Sequence, residues 1–237
     1  MDLRKSARLV LLATVALVGV VGIAGCARLA ATQPDASSSS ASASGSTAQS
    51  DPTAQSTSST GETTVHTPAY KLSGSETAVI KTSKGTITVK FFEKDAPIAA
   101  ANFIELALKG YYDQIKFHRY VAGFVIQGGD PQTKSATSAE VAAADGSSGK
   151  FGTGGPGYTI KDEYAGNPNK HVDGSLAMAR TGAPDSGGSQ FYFALDALPS
   201  LDGQYTVFGQ ATSGLEVIHN LRAGDVIESV TIENATK

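Results

Sequence analysis

No Val, Ile, Leu, Met or aromatic residue occurs between Ala30 and Thr64, and 15 of the 25 residues 36–60 are Ser or Thr. Such a stretch buries too little apolar area to offset the entropy of ordering it, so it cannot join a core. It divides the 237-residue chain in two. A packed domain has to be built from the residues on its C-terminal side, and those on its N-terminal side are attached to that domain through a coil. As flexible chain from Cys26 to Thr77, the coil has a root-mean-square reach of roughly 40 Å. Its Ser/Thr density also suits glycosylation.

Ahead of the coil, Arg4, Lys5 and Arg8 form a basic start, and the 19 residues 9–27 carry no charge. That length is enough to span a bilayer, so a retained anchor is one reading. The run ends, however, in Ile23-Ala24-Gly25-Cys26, small residues directly before the chain's only cysteine. This resembles the lipobox of bacterial lipoproteins. The resemblance implies a signal peptide over 1–25, cleavage before Cys26, a diacylglyceryl group on its thiol, and an extracytoplasmic protein lipid-anchored to a bacterial membrane. The expected organisation is then 1–25 signal, 26–75 disordered tether and 76–234 folded domain.

A single cysteine excludes an intrachain disulfide, and His66, His118, His171 and His219 are too scattered for a zinc motif, so each reads as structural or exposed. From Thr77 onward there are 14 Lys+Arg against 17 Asp+Glu, which gives no electrostatic reason to expect nucleic acid. GTGGPG at 152–157 is glycine-rich but lacks the lysine and helix of a phosphate loop.

Within the domain, 78–81 and 86–92 alternate in hydrophobicity around Ser83-Lys84-Gly85, a hairpin pattern. Pro97 opens a helix over 99–109, with Ala100, Phe103, Ile104, Ala107 and Leu108 on one face and Gly110 as its stop. Short strands are expected at 158–161, 175–179, 190–194 and 205–210, a second helix at 215–221, and a last strand at 226–232. Residues 131–150 are rich in Ser, Thr, Ala and Gly, with a weak helical signal at 139–144; a mobile surface loop is expected, a specificity element being the alternative.

Residues 117–130, FHRYVAGFVIQGGD, read as two strands joined through Ala122-Gly123 and ended by Gly128-Gly129. Arg119, among aromatics, either snorkels to a rim or is held over a site. FHR with GF and QGGD, then GSLAMAR (174–180) with GSQFYF (188–193), then LDGQYTVFG (201–209), resemble in order the signature blocks of the cyclophilins, the peptidyl-prolyl cis-trans isomerases. The likeness spans about 77–234. It implies a mainly β fold, a closed eight-stranded antiparallel barrel capped by two helices, whose interior is filled by side chains. It also marks 131–151 as long, since 21 residues separate QGGD from GTGG where a handful is expected.

The same likeness implies roles. Arg119 is the catalytic donor; Phe124, Val125, Tyr192 and Leu201 form the proline pocket. Gln127 and Gln190 make polar contacts, Gln127 also orienting Arg119. Ala179 and Arg180 pair by backbone with an extended substrate, and Gly152, Thr153 and Thr181 form the neighbouring rim. On hydrophobicity alone, Phe124, Val125 and Leu201 would be barrel core and Gln127 a turn residue. Two positions depart from the eukaryotic pattern: Ser200 stands where a tryptophan precedes LDG, and Tyr205 where a histidine comes after it. Tyr205 still walls the pocket, while weak cyclosporin binding is expected because a donor and a large apolar wall are missing.

Turning an X–Pro bond makes and breaks no covalent bond, so no metal or cofactor is called for. The expected activity is isomerisation of X–Pro bonds in exported proteins, by a monomer acting on proline-containing polypeptides. The alternative is a tethered module that holds proline segments with incidental turnover. A solute-binding lipoprotein on an unrelated barrel is weaker, because a small filled barrel leaves no ligand cavity.

Overall fold

The computed structural model describes residues 64–144, 146 and 148–235. The signal segment, Cys26 and the tether up to residue 63 lie outside the described residues. The alternating hairpin forms as read: β2 (Thr77–Thr82) pairs with β3 (Gly85–Phe91), Ile80 opposite Ile87 and Ala78 opposite Val89, all four fully buried. The remaining strands of the sheet are β4 (Arg119–Val121), β5 (Val125–Gly128), β7 (Ser175–Met178), β8 (Phe191–Ala194), β9 (Val207–Ser213) and β10 (Ile227–Glu233). Together they form one eight-stranded antiparallel sheet in the order β10-β2-β3-β9-β7-β8-β5-β4.

The sheet curls but is not closed, which corrects the expected barrel. Its two outer strands, β10 and β4, do not pair; the seam is bridged at Lys116–Val226, in the lead-in to each strand. Phe117 N–H to Asp225 O (2.9 Å) and Ile227 N–H to Ile115 O (2.8 Å) support it. The reason is local. β4 has only three residues, its lead-in turns through a positive φ at Gln114, and β10 carries a register shift between Ile227 and Ser229. A regular ladder cannot continue through such irregularities.

Helix α1 (Pro97–Leu108) starts at proline, for which the missing N–H is no loss. Its N-cap, Ala96, has no capping side chain; Glu163 takes that role from afar, accepting from the N–H groups of Ile98 and Ala99 at 2.9 Å each. Phe103 and Ile104 are fully buried and bring α1 onto an aromatic core with Phe91, Phe191 and Phe208. Helix α3 (Leu215–Asn220) packs on β3. Between them lies α2 (Ser138–Ala144), so the described residues hold three helices rather than the expected two. The stretch read as a mobile loop is thus built: a 3-10 turn at Pro131–Thr133, then α2, whose Val141 and Ala144 bury against Phe151.

The folded part also begins earlier than Thr77. β1 (Val65–His66) runs parallel to β6 (Thr159–Ile160), and Tyr70 and Leu72 pack on the main core. Glu76, 1% exposed, gathers the N–H groups of Ser73, Gly74 and Ser75, the Ser73 hydroxyl and the Tyr70 hydroxyl. Burial pushes its pKa up, but these hydrogen bonds outweigh that and bring it down to about 2. Isolated apolar residues held by carboxylates leave no periodic pattern, which is why sequence alone extends the tether to residue 75.

Candidate active site

All four residues of β7 and of β8 are buried, because both faces of the sheet are covered there. On one face, Phe191 and Phe193 enter the main core; on the other, Tyr192 and Ala194 join Val125, Ala177, Leu198 and Val207 in a second cluster. Phe124, Ala179, Leu201 and Tyr205 pack against that second cluster. Phe124, Val125 and Leu201 are therefore not part of the inner core, as hydrophobicity alone suggested. They line a hollow on the opposite face.

The hairpin of β4 and β5 aims the polar groups. The turn closes with Phe124 N–H on Val121 O at 3.0 Å, setting Arg119 directly across from Gln127. After β5 the backbone passes tightly against Ser189 and Gln190, which lead into β8. A Cβ on Gly129 would lie 2.3 Å from the Ser189 carbonyl, and its φ is +91°. Glycine is required there on both counts.

A hollow of about 370 Å³ results, lined by Arg119, Phe124, Val125, Gln127, Ala179, Arg180, Tyr192, Leu201 and Tyr205. The Arg119 guanidinium carbon is 5.9 Å from the centroid of the Phe124 ring. Tyr192 and Tyr205 meet edge to face at 6.0 Å, and Arg180 lies over Tyr205 at 5.5 Å and Tyr164 at 4.9 Å. The hollow is thus walled by apolar and aromatic side chains together with two guanidinium groups and an amide, an arrangement that receives a small apolar ring and offers N–H donors beside it.

A second hollow of about 670 Å³ shares Gln127, Ala179 and Arg180 with the first and adds Gly152, Thr153, Thr181 and Gln190. The predicted catalytic and substrate-binding residues therefore all line one hollow or the other, while Cys26 lies outside the described residues. Asp130, fully buried, shapes the second by accepting from the N–H groups of Gln132, Gly152 and Gly154. Thr181 is tied to Ser186 Oγ through both its N–H (3.0 Å) and its hydroxyl (2.9 Å).

Two details refine the expected roles. Gln127 donates its side-chain N–H to Gln190 Oε1 at 3.0 Å, and Gln190 donates in turn to Gly154 O at 2.8 Å. The Gln127 amide is thus linked to the second hollow's wall, in addition to facing Arg119 across the strands. Ala179 already gives its N–H to Gln190 O at 3.0 Å, leaving its carbonyl as the group available to an extended substrate.

Sequence reasoning missed the groups behind these walls. His171, buried, lies between Asp202 and the Tyr192 hydroxyl; Asp162 is 4.0 Å from the Arg180 guanidinium. His118, next to Arg119, is buried, and burial lowers its pKa, reinforced by Arg119 and opposed by Asp130. No periodicity marks such residues; Asp202, directly after Leu201, was the nearest available signal.

A family model described as cyclophilin type peptidyl-prolyl cis-trans isomerase/CLD matches residues 77–237. A peptidyl-prolyl cis-trans isomerase of Helicobacter pylori (strain ATCC 700392 / 26695) is 48% identical over 160 residues, 67% of this chain and 87% of that protein. Peptidyl-prolyl cis-trans isomerase B of Bacillus subtilis (strain 168) is 44% identical over 147 residues, 62% of this chain and 90% of its own. Among solved structures, a cyclophilin type peptidyl-prolyl cis-trans isomerase of Cryptosporidium parvum, crystallised in the presence of the dipeptide Ala-Pro, aligns with TM-score 0.55. It is 29% identical, with 67% of this chain and 99% of that chain covered.

Proposed function

The chain belongs to the cyclophilin-type peptidyl-prolyl cis-trans isomerases, and from that premise we propose that it turns X–Pro bonds of exported proteins in the Arg119 hollow while held at a bacterial membrane by a lipid on Cys26. The isomerase activity is that of the family. The assignment of residues and of place is our reading.

Rotation about an X–Pro bond costs roughly 18–20 kcal/mol because resonance gives it partial double-bond character. A donor placed on the prolyl nitrogen draws its lone pair out of that resonance and lowers the barrier. Arg119 is suited to this, since a guanidinium stays charged and offers fixed N–H groups. Tyr192, Leu201, Phe124 and Val125 hold the ring, and the Ala179 carbonyl with Gln127 and Gln190 steers the flanking chain. Each 1.36 kcal/mol removed is tenfold, so a reduction of about 7 kcal/mol gives roughly 10⁵.

The observation that carries the reading is the single hollow that brings Arg119 together with Phe124, Val125, Tyr192 and Leu201. Arg119→Ala tests it: kcat/KM is expected to fall about 10²–10³-fold, with peptide affinity changed far less. Affinity and turnover lost in equal proportion would remove Arg119 from the chemical step. Retained turnover would move catalysis elsewhere.

The anchoring rests on the basic start, the uncharged run of 19 residues and the Ile23-Ala24-Gly25-Cys26 block. A diacylglyceryl group supplies membrane affinity at about 0.8 kcal/mol per buried methylene. Mass spectrometry of the protein isolated from membranes checks it, together with release into the soluble fraction by Cys26→Ser.

A further inference from the structure

Residues 64–76 precede the segment matched to the family, which begins at residue 77, yet they are joined to the wall of the larger hollow by a continuous set of contacts. Thr159 donates its N–H to Thr64 O at 3.1 Å, and β1 lies along β6 with Val65 beside Thr159 and His66 beside Ile160. The His66 ring packs on the Tyr158 ring with centroids 4.4 Å apart, and His66 Nε2 is 3.3 Å from Glu105 Oε2 on α1. Glu105 Oε1 also accepts the N–H groups of Ala69 and Tyr70, which fastens the segment to α1.

The contacts continue inward. The Tyr158 hydroxyl donates to Asn102 Oδ1 at 2.9 Å, and Asn102, fully buried, donates to Gly188 O at 2.8 Å. Ile160 donates its N–H to Gly187 O at 2.8 Å. Tyr158, Thr159 and Gly188 all line the larger hollow. His66 is not among the residues that line that hollow; it packs on the ring of Tyr158, which is.

We propose that the 64–76 segment is a brace for the larger hollow and that His66 is its specificity-determining positioning residue, setting how well the enzyme accepts the residues flanking the proline. This rests on reading the two hollows as one substrate groove. A short substrate that fills only the Arg119 hollow does not sense the brace, whereas a longer one that reaches Tyr158 and Gly188 does. Because the brace acts on binding of the flanking chain and not on the prolyl bond, its loss appears in KM.

The test compares the full chain with its His66→Ala variant on capped Ala-Pro and on capped hexapeptides varied on both sides of the proline, with exchange rates read by NMR. The expected result is a KM raised about fivefold on the hexapeptides, with kcat unchanged and capped Ala-Pro unaffected. His66→Phe, which keeps a ring against Tyr158, is expected to restore the hexapeptide KM. Amide exchange at Ile160 is expected to quicken in His66→Ala and not in His66→Phe. Equal effects on short and long substrates, or none on either, overturn the brace. If His66→Ala does not fold, His66→Gln makes the same comparison, keeping a polar group toward Glu105 and losing the ring. If the wild-type chain turns over no peptide at all, it is the catalytic reading that fails; hexapeptide affinities measured by fluorescence titration then decide the brace alone.

Discussion

The Tyr192 hydroxyl and the buried ring of His171 are hydrogen-bonded, Oη to Nε2, at 2.9 Å. The other ring nitrogen, Nδ1, is 3.0 Å from Asp202 Oδ1. Asp202 is held ionised, its pKa lowered first by the His171 N–H and further by the His171 side chain and Lys170. A carboxylate accepts only, so Nδ1 carries the proton and Nε2 accepts from the tyrosine. The floor of the Arg119 hollow is thus pinned from behind.

This relationship predicts an acid sensitivity. Burial lowers the pKa of His171 below 6.5, outweighing the opposing pull of Asp202. The unfolded chain then binds the proton more readily than the folded one, so stability is full above pH 6.5 and falls as pH drops below it. His118 contributes with the same sign. A series of thermal unfolding midpoints from neutral pH downward is expected to decline below 6.5, and His171→Gln to lessen the slope without abolishing it. Tyr192→Phe leaves Nε2 without its donor and is expected to cost about 1–2 kcal/mol.

The segment between β5 and β6 reaches Arg119, the proposed donor. A Cβ on Gly146 would lie 2.8 Å from Arg119 Cβ and 2.9 Å from its Cγ, whereas one on Gly149 meets nothing within 4 Å. Both glycines have positive φ, +76° and +69°, so an alanine at either carries a similar backbone strain. Gly146→Ala is expected to lower kcat/KM about tenfold or more by displacing the Arg119 stem, and Gly149→Ala to leave it unchanged. Equal kinetics in the two variants would disprove the contact's importance.

Glu76 predicts a second, more acidic transition. Its pKa of about 2 against an ordinary 4.5 means that its contribution is complete above pH 4.5 and is lost as pH falls toward 2. Glu76→Gln is expected to cost about 1–3 kcal/mol in urea unfolding at neutral pH, and the variant to lack most of the loss between those values.

Cyclosporin is expected to inhibit weakly. Ser200 is exposed on the 3-10 turn Pro199–Leu201 and offers neither an indole donor nor a large apolar wall. Ser200→Trp is expected to lower the inhibitory concentration at least tenfold, read in the isomerisation assay. No gain would mean that Tyr205, under the Arg180 guanidinium, sets the limit instead.

Local pattern carried much of this protein. Alternation marked the β2–β3 hairpin, and Pro97 and Gly110 bracketed α1. The ordered blocks around Arg119, Gln190 and Leu201 named residues that the fold does bring to two adjoining hollows. Alternation and the helix brackets lie within a few neighbouring residues, where spacing and side-chain chemistry act directly, whereas the blocks are legible through their resemblance to the family. What only the tertiary structure decided depends on partners far apart in sequence: that β10 and β4 meet without pairing, that Tyr192 faces away from the Phe191 core, that His171 supports it from 21 residues away, and that His66 leans on Tyr158. Such contacts arise when curled strands bring distant side chains together, and no periodicity along the chain records them.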